Sequence, residues 1–222
     1  MEPFLRIEGI AVPFDRANAD TDQIIPARFI MKPRQFDYSE VLFHDLRNGP
    51  AAEPGFPLDR PEYRGAKILV TAENFACGSA REQAVYALQD TGIRALVGPS
   101  FGGIFYTNCI KNGILPAIVD ATVVSALCAA LSRAPGSVLA VDLPQQTIAT
   151  SDGKWFPFRI GEGDKAQLMS GKDDITRTLE HEQAILAHER ATAAAATWTR
   201  PSFDEAIGSR RLIPVAKARD EG

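Results

Sequence analysis

Residues 73–90 read ENFACGSAREQAVYALQD, and the short run KILV at 67–70 leads into them. Such a run is typical of a buried strand, and a tight turn that ends in glycine follows it. Ser79 with Glu82 three residues later matches a capping box, which predicts a helix that begins at Ser79. Gly92 stands where a helix C-cap is expected. The stretch therefore predicts a strand, a glycine turn and a helix in direct succession.

Arg81 is the unusual residue of this helix start. Free backbone N–H groups and the positive end of the helix dipole favour anions there, and a cation in the first turn costs about 0.3–1 kcal/mol. One interpretation is that a bound anion offsets this cost. The alternative is that Ser79 is only a cap and Arg81 only a solvated side chain, and the local pattern leaves both open.

Composition is that of an ordinary globular protein. Of the 222 residues 45% are apolar and 23% are charged, and the net charge of −4 indicates no nucleic-acid partner. No apolar run approaches the roughly 18–20 residues of a membrane span. The opening segment MEPFLRIEG lacks the apolar core of a signal peptide. We therefore expect a cytoplasmic protein.

The three cysteines, Cys77, Cys109 and Cys128, are widely spaced and include no CxxC pair. This spacing argues against a disulfide framework and against a metal site. We expect small or buried thiols that only pack.

Strand and helix patterns alternate through the middle of the chain. In chain order they are a strand at 68–71, a helix at 79–89, a strand at 94–97, a helix at 103–111 and a strand at 115–119. This βαβαβ order predicts a parallel sheet with right-handed crossovers. Ligands of such sheets bind at the carboxyl ends of the strands, so we expect a site near the turns 73–79 and 98–103.

The flanking segments predict further elements around this centre. They are a strand at 4–12, a helix at 123–132, strands at 139–143, 146–149 and 155–160, a short helix at 164–170 and a longer one at 173–196. Together with the centre they predict an α/β fold with a β-rich layer.

The stretch ENFACGSAREQAVYAL at 73–88 resembles the signature of the small subunit of 3-isopropylmalate dehydratase (isopropylmalate isomerase), which also occurs in the C-terminal swivelling domain of aconitases. Three more segments match in family order: ADTDQIIPARF at 19–29, GPSFGGIFYTNCIKNGILPAIV at 98–119 and, more weakly, LMSGKDDITRTLEHEQAILAHE at 168–189. The resemblance implies a three-layer β/β/α swivelling domain with a parallel βαβαβ centre.

The activity that the resemblance implies is the interconversion of 2-isopropylmalate and 3-isopropylmalate by dehydration and rehydration, in leucine biosynthesis. Ser79 aligns with the family's catalytic serine, which acts as a base in its alkoxide form. Arg81 would stabilise that anion and clamp a substrate carboxylate bidentately. Gly78 would let the substrate approach the backbone closely.

The resemblance also implies substrate-binding residues in the first motif and the loop after it. Asp22 is carried over from the segment DTDQIIP, where an Asx turn that caps the next segment is the simpler local interpretation. Arg28 and Arg34 are carried over from the following loop, which closes over the substrate in the family. Residues 26–62 are therefore expected to form a mobile substrate loop and a Pro-rich linker.

The whole swivelling domain is expected at residues 1–200, followed by a flexible tail at 201–222. Aconitase-like enzymes use a 4Fe–4S cluster held by three cysteines, two of them in a CxxC pair, and this chain has no such pattern. The resemblance thus implies no cofactor or metal ligand here. It implies a separate large subunit that carries the cluster, in a heterodimer or heterotetramer.

Two residues of the signature depart from the family pattern. Ala80 replaces the usual second serine, and Gln83 replaces the usual histidine. These changes leave open a related dehydratase that acts on dimethylmalate, citramalate or homoaconitate. A non-catalytic subunit that binds a carboxylate at the same helix start is the alternative from another class.

Overall fold

The computed structural model describes residues 1–49, 52–78 and 81–193, and the chain divides into two units, Met1–Asp174 and Ile175–Gly222. The strands in the described residues are β1 Arg6–Phe14, β2 Ile68–Thr71, β3 Ala95–Gly98, β4 Leu115–Ile118, β5 Val138–Asp142, β6 Thr147–Thr150 and β7 Trp155–Pro157. The α-helices are α1 Thr21–Ile24, α2 His44–Asn48, α3 Glu82–Asp90, α4 Gly103–Asn112, α5 Ala121–Arg133, α6 Glu162–Ser170, α7 Asp174–Leu179 and α8 Glu182–Thr192.

All these strands belong to one sheet in the order β4-β3-β2-β1-β5-β6-β7. Strands β1 to β4 pair in parallel, whereas β1, β5, β6 and β7 pair antiparallel. Strand β1 joins the two halves because Ala11–Phe14 pairs with β2 and Arg6–Ile10 pairs with β5. The predicted α/β fold with a parallel βαβαβ centre is confirmed.

Each face of the sheet has its own apolar core, which follows from the alternation of side chains along a strand. Leu69 of β2 packs on one face with α3, α4 and the segment after α1. Ile68 and Val70 point to the other face, where α5, β5 and β6 pack. Burial of each such side chain contributes about 1.5–3 kcal/mol, so both helical layers are held mainly by apolar contact.

The segment 26–62 is a series of short helical turns and α2, with Pro50 and Ala51 outside the described residues. Its aromatic side chains enter the first core: Phe43 is fully buried and stacks on Phe14 of β1 with 4.8 Å between ring centroids. The described part of this segment is therefore packed on the sheet. Its expected mobility and substrate contact remain predictions.

Two predicted helix bounds are wrong. The helix predicted at 173–196 is two helices, α7 and α8. The break falls at His181. Its N–H donates to the Thr178 carbonyl, three residues back, at 3.0 Å, and such a tightened turn is typical of a helix end. The helix predicted from Ser79 begins only at Glu82. The strand predicted at 155–160 ends at Pro157, and the other predicted bounds agree within two residues. Residues 194–196 of the predicted last helix and the tail at 201–222 lie outside the described residues.

Gly102, just before α4, lies where the motif at 98–119 contacts the motif at 73–88. Its N–H donates to the Phe75 carbonyl at 2.9 Å. A Cβ atom at Gly102 would lie 2.3 Å from the carbonyl oxygen of Ala76, closer than any unstrained contact. At the next residue, Gly103, a Cβ atom would have nothing within 4 Å among the described residues.

This difference predicts opposite effects of two neighbouring substitutions. Gly102→Ala should lower the free energy of unfolding by about 1–3 kcal/mol, because the added methyl group forces the two turns apart. Gly103→Ala should be neutral or slightly stabilising, because alanine has the better helix propensity. Urea unfolding of both variants measures this, and equal losses would contradict the close contact.

Candidate active site

The candidate site lies at the carboxyl ends of the parallel strands, around residues 73–78, which we term the central turn. The first motif is bonded to it on one side. The Thr21 N–H donates to the Cys77 carbonyl at 3.0 Å, and the Ala76 N–H donates to the Ala19 carbonyl at 2.6 Å. The structure therefore brings the first motif against the central turn.

The third motif is bonded to the central turn on the other side. The Phe75 N–H donates to the Ser100 carbonyl at 3.2 Å. The Asn74 N–H donates to the Ser100 hydroxyl oxygen at 2.8 Å, and the Asn74 side-chain amide donates to Asn18 Oδ1 at 2.8 Å. The three motifs form one hydrogen-bonded edge.

The central turn carries backbone strain. Asn74, Ala76 and Gly78 have φ values of 55°, 58° and 87°. For a residue with a Cβ atom such as Ala76 the left-handed region costs roughly 1–2 kcal/mol. Strain of this kind is often found at functional sites. Gly78 is exposed and bears no such penalty, which agrees with a position that a ligand can approach.

Arg81 is held by a carboxylate of the first motif. Its Nη1 donates to Asp22 Oδ1 at 2.5 Å and to the Ile25 carbonyl at 3.1 Å. The Arg81 side chain is 15% exposed and that of Asp22 54%. The interpretation of Arg81 as a solvated side chain is therefore wrong. Among the described residues both of its hydrogen bonds come from Nη1, which leaves Nε and Nη2 for a ligand.

The start of α3 differs from the predicted capping box. Arg81 is the N-cap residue, with extended backbone at φ −102° and ψ 117°, and its own side chain makes no capping hydrogen bond. Glu82 is the first helical residue, and its carboxylate accepts a hydrogen bond from Asn112 Nδ2 at 3.0 Å. Ser79 and Ala80 lie outside the described residues. The sequence pattern misplaced the cap because Glu82 is bonded to another helix.

The two aspartates of the first motif have different partners. Asp20 is the N-cap of α1, and its side chain accepts from the Gln23 N–H at 2.8 Å. Asp22 is the ion-pair partner of Arg81. The capping interpretation is therefore correct for Asp20, and the structure brings Asp22 to the candidate site.

Arg28 makes a bidentate ion pair with Asp45 of α2. Its Nη1 lies 3.0 Å from Asp45 Oδ2, its Nη2 contacts Asp45 Oδ1, and the guanidinium lies 4.7 Å from the centroid of the Phe29 ring. The hydrogen bonds from Arg28 and then His44 lower the pKa of Asp45 to about 2. Arg28 is half exposed, three residues beyond Ile25, which itself contacts Arg81.

Arg34 lies at the other end of α3. Its guanidinium makes a bidentate pair with Asp90, at 3.0 and 3.1 Å, and lies 4.5 Å from the centroid of the Tyr86 ring. Asp90 ends the helix that Glu82 begins, about 12 Å away along the axis. The structure therefore does not bring Arg34 together with Arg81.

Gln83 has a role that the sequence did not reveal. Its Nε2 donates to the Ile30 carbonyl at 3.2 Å, so it ties the first turn of α3 to the segment after Arg28. In the sequence, Gln83 stands out only because it replaces the histidine that is usual in the family. The contact partner, a backbone carbonyl 53 residues away, has no signature in the sequence.

The cysteines do not fit an iron–sulfur cluster. Cys109 and Cys128 are buried in the cores on opposite faces of the sheet, and burial raises the pKa of both thiols, that of Cys128 to about 12. Cys77 lies in the central turn, partly exposed. Throughout the described ranges, no three His, Cys, Asp or Glu residues are grouped so that they could hold a metal ion.

Comparison with known proteins gives concordant results. A family model described as the aconitase C-terminal domain matches residues 1–121. The chain is similar to the 3-isopropylmalate dehydratase small subunit from Saccharophagus degradans, with 40% identity over 89% of this chain and 97% of that protein. It is similar to the small subunit from Magnetococcus marinus, with 42% identity over 89% of this chain and 98% of that protein. It is also similar to a crystal structure of a 3-isopropylmalate dehydratase from Methanocaldococcus jannaschii, with a TM-score of 0.59, 26% identity and coverage of 83% and 99%. No helix in the described ranges has the length and apolar character needed to cross a membrane.

The pair between Arg28 and Asp45 makes a testable pH prediction. The pKa of Asp45 is lower in the folded chain than the ordinary value of about 3.9. The pair therefore stabilises the fold above that ordinary value, and the stabilisation is lost as pH falls towards 2. A carboxyl NMR titration should give Asp45 a pKa of about 2 in the parent and a clearly higher pKa in Arg28→Met, where His44 remains as a partner that lowers it.

The control is Arg60→Met, which removes a guanidinium that pairs with Glu62 instead. This variant should leave the Asp45 titration unchanged. An Asp45 pKa that is the same in Arg28→Met and in the parent would contradict the ion pair.

Proposed function

Because the chain belongs to the family of 3-isopropylmalate dehydratase small subunits, we propose that it is the small subunit of the hydro-lyase that interconverts 2-isopropylmalate and 3-isopropylmalate in leucine biosynthesis. Relatives with 40–42% identity carry this name and are covered over 97–98% of their length. They favour this substrate pair over dimethylmalate, citramalate or homoaconitate. The structural observation that carries the proposal is the pair of Arg81 with Asp22 at the start of α3.

The reaction sets specific chemical demands. A base must remove a proton next to a carboxylate, the departing hydroxide must be accepted, and cations must hold the substrate carboxylates. Substrate is multiply charged, so a fixed guanidinium with free donors is well suited to position it. Arg81 meets this demand at the carboxyl edge of the sheet.

Arg81 is proposed to bind one substrate carboxylate through Nε and Nη2, while Nη1 stays on Asp22 and the Ile25 carbonyl. This division of donors holds the guanidinium in place before substrate arrives, so little rotamer entropy is lost on binding. Asp22 is half exposed, so its free oxygen can accept a hydrogen bond from a substrate hydroxyl.

Ser79 is proposed as the base, by its alignment with the family serine. It directly follows Gly78 and is two residues before Arg81, so its Cα lies within about 8 Å of that of Arg81. A serine hydroxyl is a weak base in water, and a nearby guanidinium with free helix N–H groups stabilises its alkoxide. Gly78 is proposed to admit the substrate beside this serine.

Arg28 is proposed to exchange Asp45 for a second substrate carboxylate. The pair is exposed and therefore weakened by solvent and salt, so a bound dianion can compete with Asp45. For Arg34 we propose a structural role, since its charge is paired with Asp90 at the distant end of α3 and offsets an aspartate at a helix carboxyl end.

The Lewis acid for the departing hydroxide is proposed to reside on a separate large subunit, as a 4Fe–4S cluster, because the cysteines of this chain do not converge. That subunit would complete the active site in a heterodimer or heterotetramer. The cytoplasm is the proposed location.

The experiment that tests the proposal separates the two subunits. The purified chain, prepared anaerobically, should contain no stoichiometric iron or acid-labile sulfide and should not dehydrate isopropylmalate. Addition of a cluster-bearing large subunit should produce turnover. A stoichiometric cluster on this chain, or turnover without the partner, would contradict the proposal.

The same reconstituted enzyme tests the base. Ser79→Ala should abolish turnover but leave the unfolding midpoint near that of the parent, because α3 begins at Glu82 and does not need Ser79 as its first residue. Normal turnover in this variant would exclude Ser79 as the base.

A second prediction compares two arginines of the same α3 neighbourhood. Arg81→Lys should lower kcat/KM by about tenfold or more, equivalent to about 1.4 kcal/mol, because lysine cannot form the bidentate clamp. The matched control Arg34→Lys should keep kcat/KM close to the parent value. If the two variants lose activity equally, Arg34 also belongs to the substrate site.

A further inference from the structure

A cavity lies at the amino edge of the parallel sheet, at the opposite end of the strands from the candidate active site. Its volume is about 340 Å³. Its lining consists of Glu2, Pro3, Phe4, Arg6, Ile7, Lys67, Gly92 and Arg94, and we term it the amino-edge cavity. Arg6 begins β1, and Lys67 and Arg94 directly precede β2 and β3. Three cations therefore come from adjacent strands to one small space.

The position of the Lys67 side chain in this cavity depends on Gly9 of β1. A Cβ atom at Gly9 would lie 2.9 Å from both Cβ and Cδ of Lys67, so the stem of the lysine lies directly over this residue of β1. Glycine in a strand interior costs roughly 0.5–1 kcal/mol, and here it makes room for the lysine. Lys67 makes no ion pair with any described residue, so its charge is available.

Arg94 is partly occupied by a carboxylate of this chain. Glu2 Oε2 lies 2.8 Å from Arg94 Nη1, while the Glu2 side chain is 82% exposed. The Arg94 Nε–H is buried and has no hydrogen-bond partner in the part of the chain that the structure describes. Such an unsatisfied donor is costly, and Glu2 does not reach it. The Arg94 guanidinium thus donates to one exposed carboxylate through Nη1, and this carboxylate can be exchanged for a bound anion.

The charges around the cavity leave an excess of cation. Glu2 faces Arg94, and Glu8 lies 3.6 Å from Arg6, a weak and exposed pair. These two carboxylates face the three cations Arg6, Lys67 and Arg94. An anion with more than one charge fits this balance better than the single Glu2 carboxylate does.

We propose that the amino-edge cavity binds a compact multivalent oxyanion, of which inorganic phosphate is the simplest. The anion displaces the Glu2 carboxylate, accepts a hydrogen bond from Arg94 Nη1 in its place, and accepts a charge-assisted hydrogen bond from Lys67. The cavity volume is at the lower end of ligand pockets and has ample room for a phosphate ion with bound water.

The site is independent of the proposed reaction. Lys67 precedes β2 and the central turn lies beyond its other end, so at least the length of this four-residue strand, about 13 Å, separates the two sites. Arg81 and Asp22 take no part in the amino-edge cavity. Binding there is therefore measurable on this chain alone, without substrate or partner.

The test titrates inorganic phosphate into the full chain by calorimetry, at constant ionic strength set with sodium chloride. Lys67→Met keeps the stem over Gly9 but removes the charge, and should weaken phosphate binding about tenfold. The control Lys154→Met removes the same charge at an exposed residue that pairs with Asp152, and should leave the Kd unchanged. Glu2→Gln should tighten binding by about two- to fivefold, because the competing carboxylate is gone.

Amide shifts of Phe4, Lys67 and Arg94 in NMR spectra should report the same titration. The proposal would be overturned if the chain did not bind phosphate. It would also be overturned if phosphate bound Lys67→Met and the parent with the same Kd, as an adventitious ion only, or if Lys154→Met weakened phosphate binding as much as Lys67→Met does. If Lys67→Met does not fold, the test rests on Glu2→Gln, which changes an exposed side chain. A phosphate Kd that is the same in Glu2→Gln and in the parent would also overturn the proposal. Loss of binding in Arg81→Lys alone would place the phosphate at the other edge and reject the amino-edge cavity.

Discussion

The backbone hydrogen bonds of the central turn are the constraint on which the candidate site depends. Three of its six residues adopt left-handed φ values, and the chain keeps them there because neighbouring segments bond the turn on both sides. Gly102 and Gly98 make this approach possible: a Cβ atom at Gly98 would lie 2.4 Å from Thr71 Oγ1. Because only two residues separate Gly78 from Arg81 in the sequence, any relaxation of these bonds would move Arg81.

The arginines around the site differ in how firmly their charges are bound. Arg81 is mostly buried and contacts both Asp22 and a backbone carbonyl, so its position is set before a ligand binds. Arg28 is about half exposed, so its pair with Asp45 is screened and open to exchange. Arg34 stacks on Tyr86 as well as pairing with Asp90, which suits a fixed structural contact. Exposure and the number of partners, rather than charge alone, separate these roles.

The two proposed anion sites lie at opposite edges of the parallel sheet and draw their charge from different places. At the carboxyl edge, the charge is that of one guanidinium, Arg81, which Asp22 and the Ile25 carbonyl hold in place. At the amino edge, side chains that precede neighbouring strands supply the charge, since Lys67 and Arg94 stand one residue before β2 and β3. Parallel pairing in register brings such residues together, because equivalent positions on adjacent strands lie about 4.8 Å apart.

Sequence by itself determined the α/β fold, the parallel centre, most element bounds and the meeting of the turns 73–79 and 98–103 at one edge. These features follow from local periodicity and from the geometry of βαβ units, which a linear pattern records directly. Only the tertiary structure decided that Asp22 holds Arg81, that Gln83 binds the Ile30 carbonyl and that Arg34 belongs to the far end of α3. Each of these contacts joins residues more than 50 positions apart, so it depends on how the packed elements align side chains and not on any local pattern.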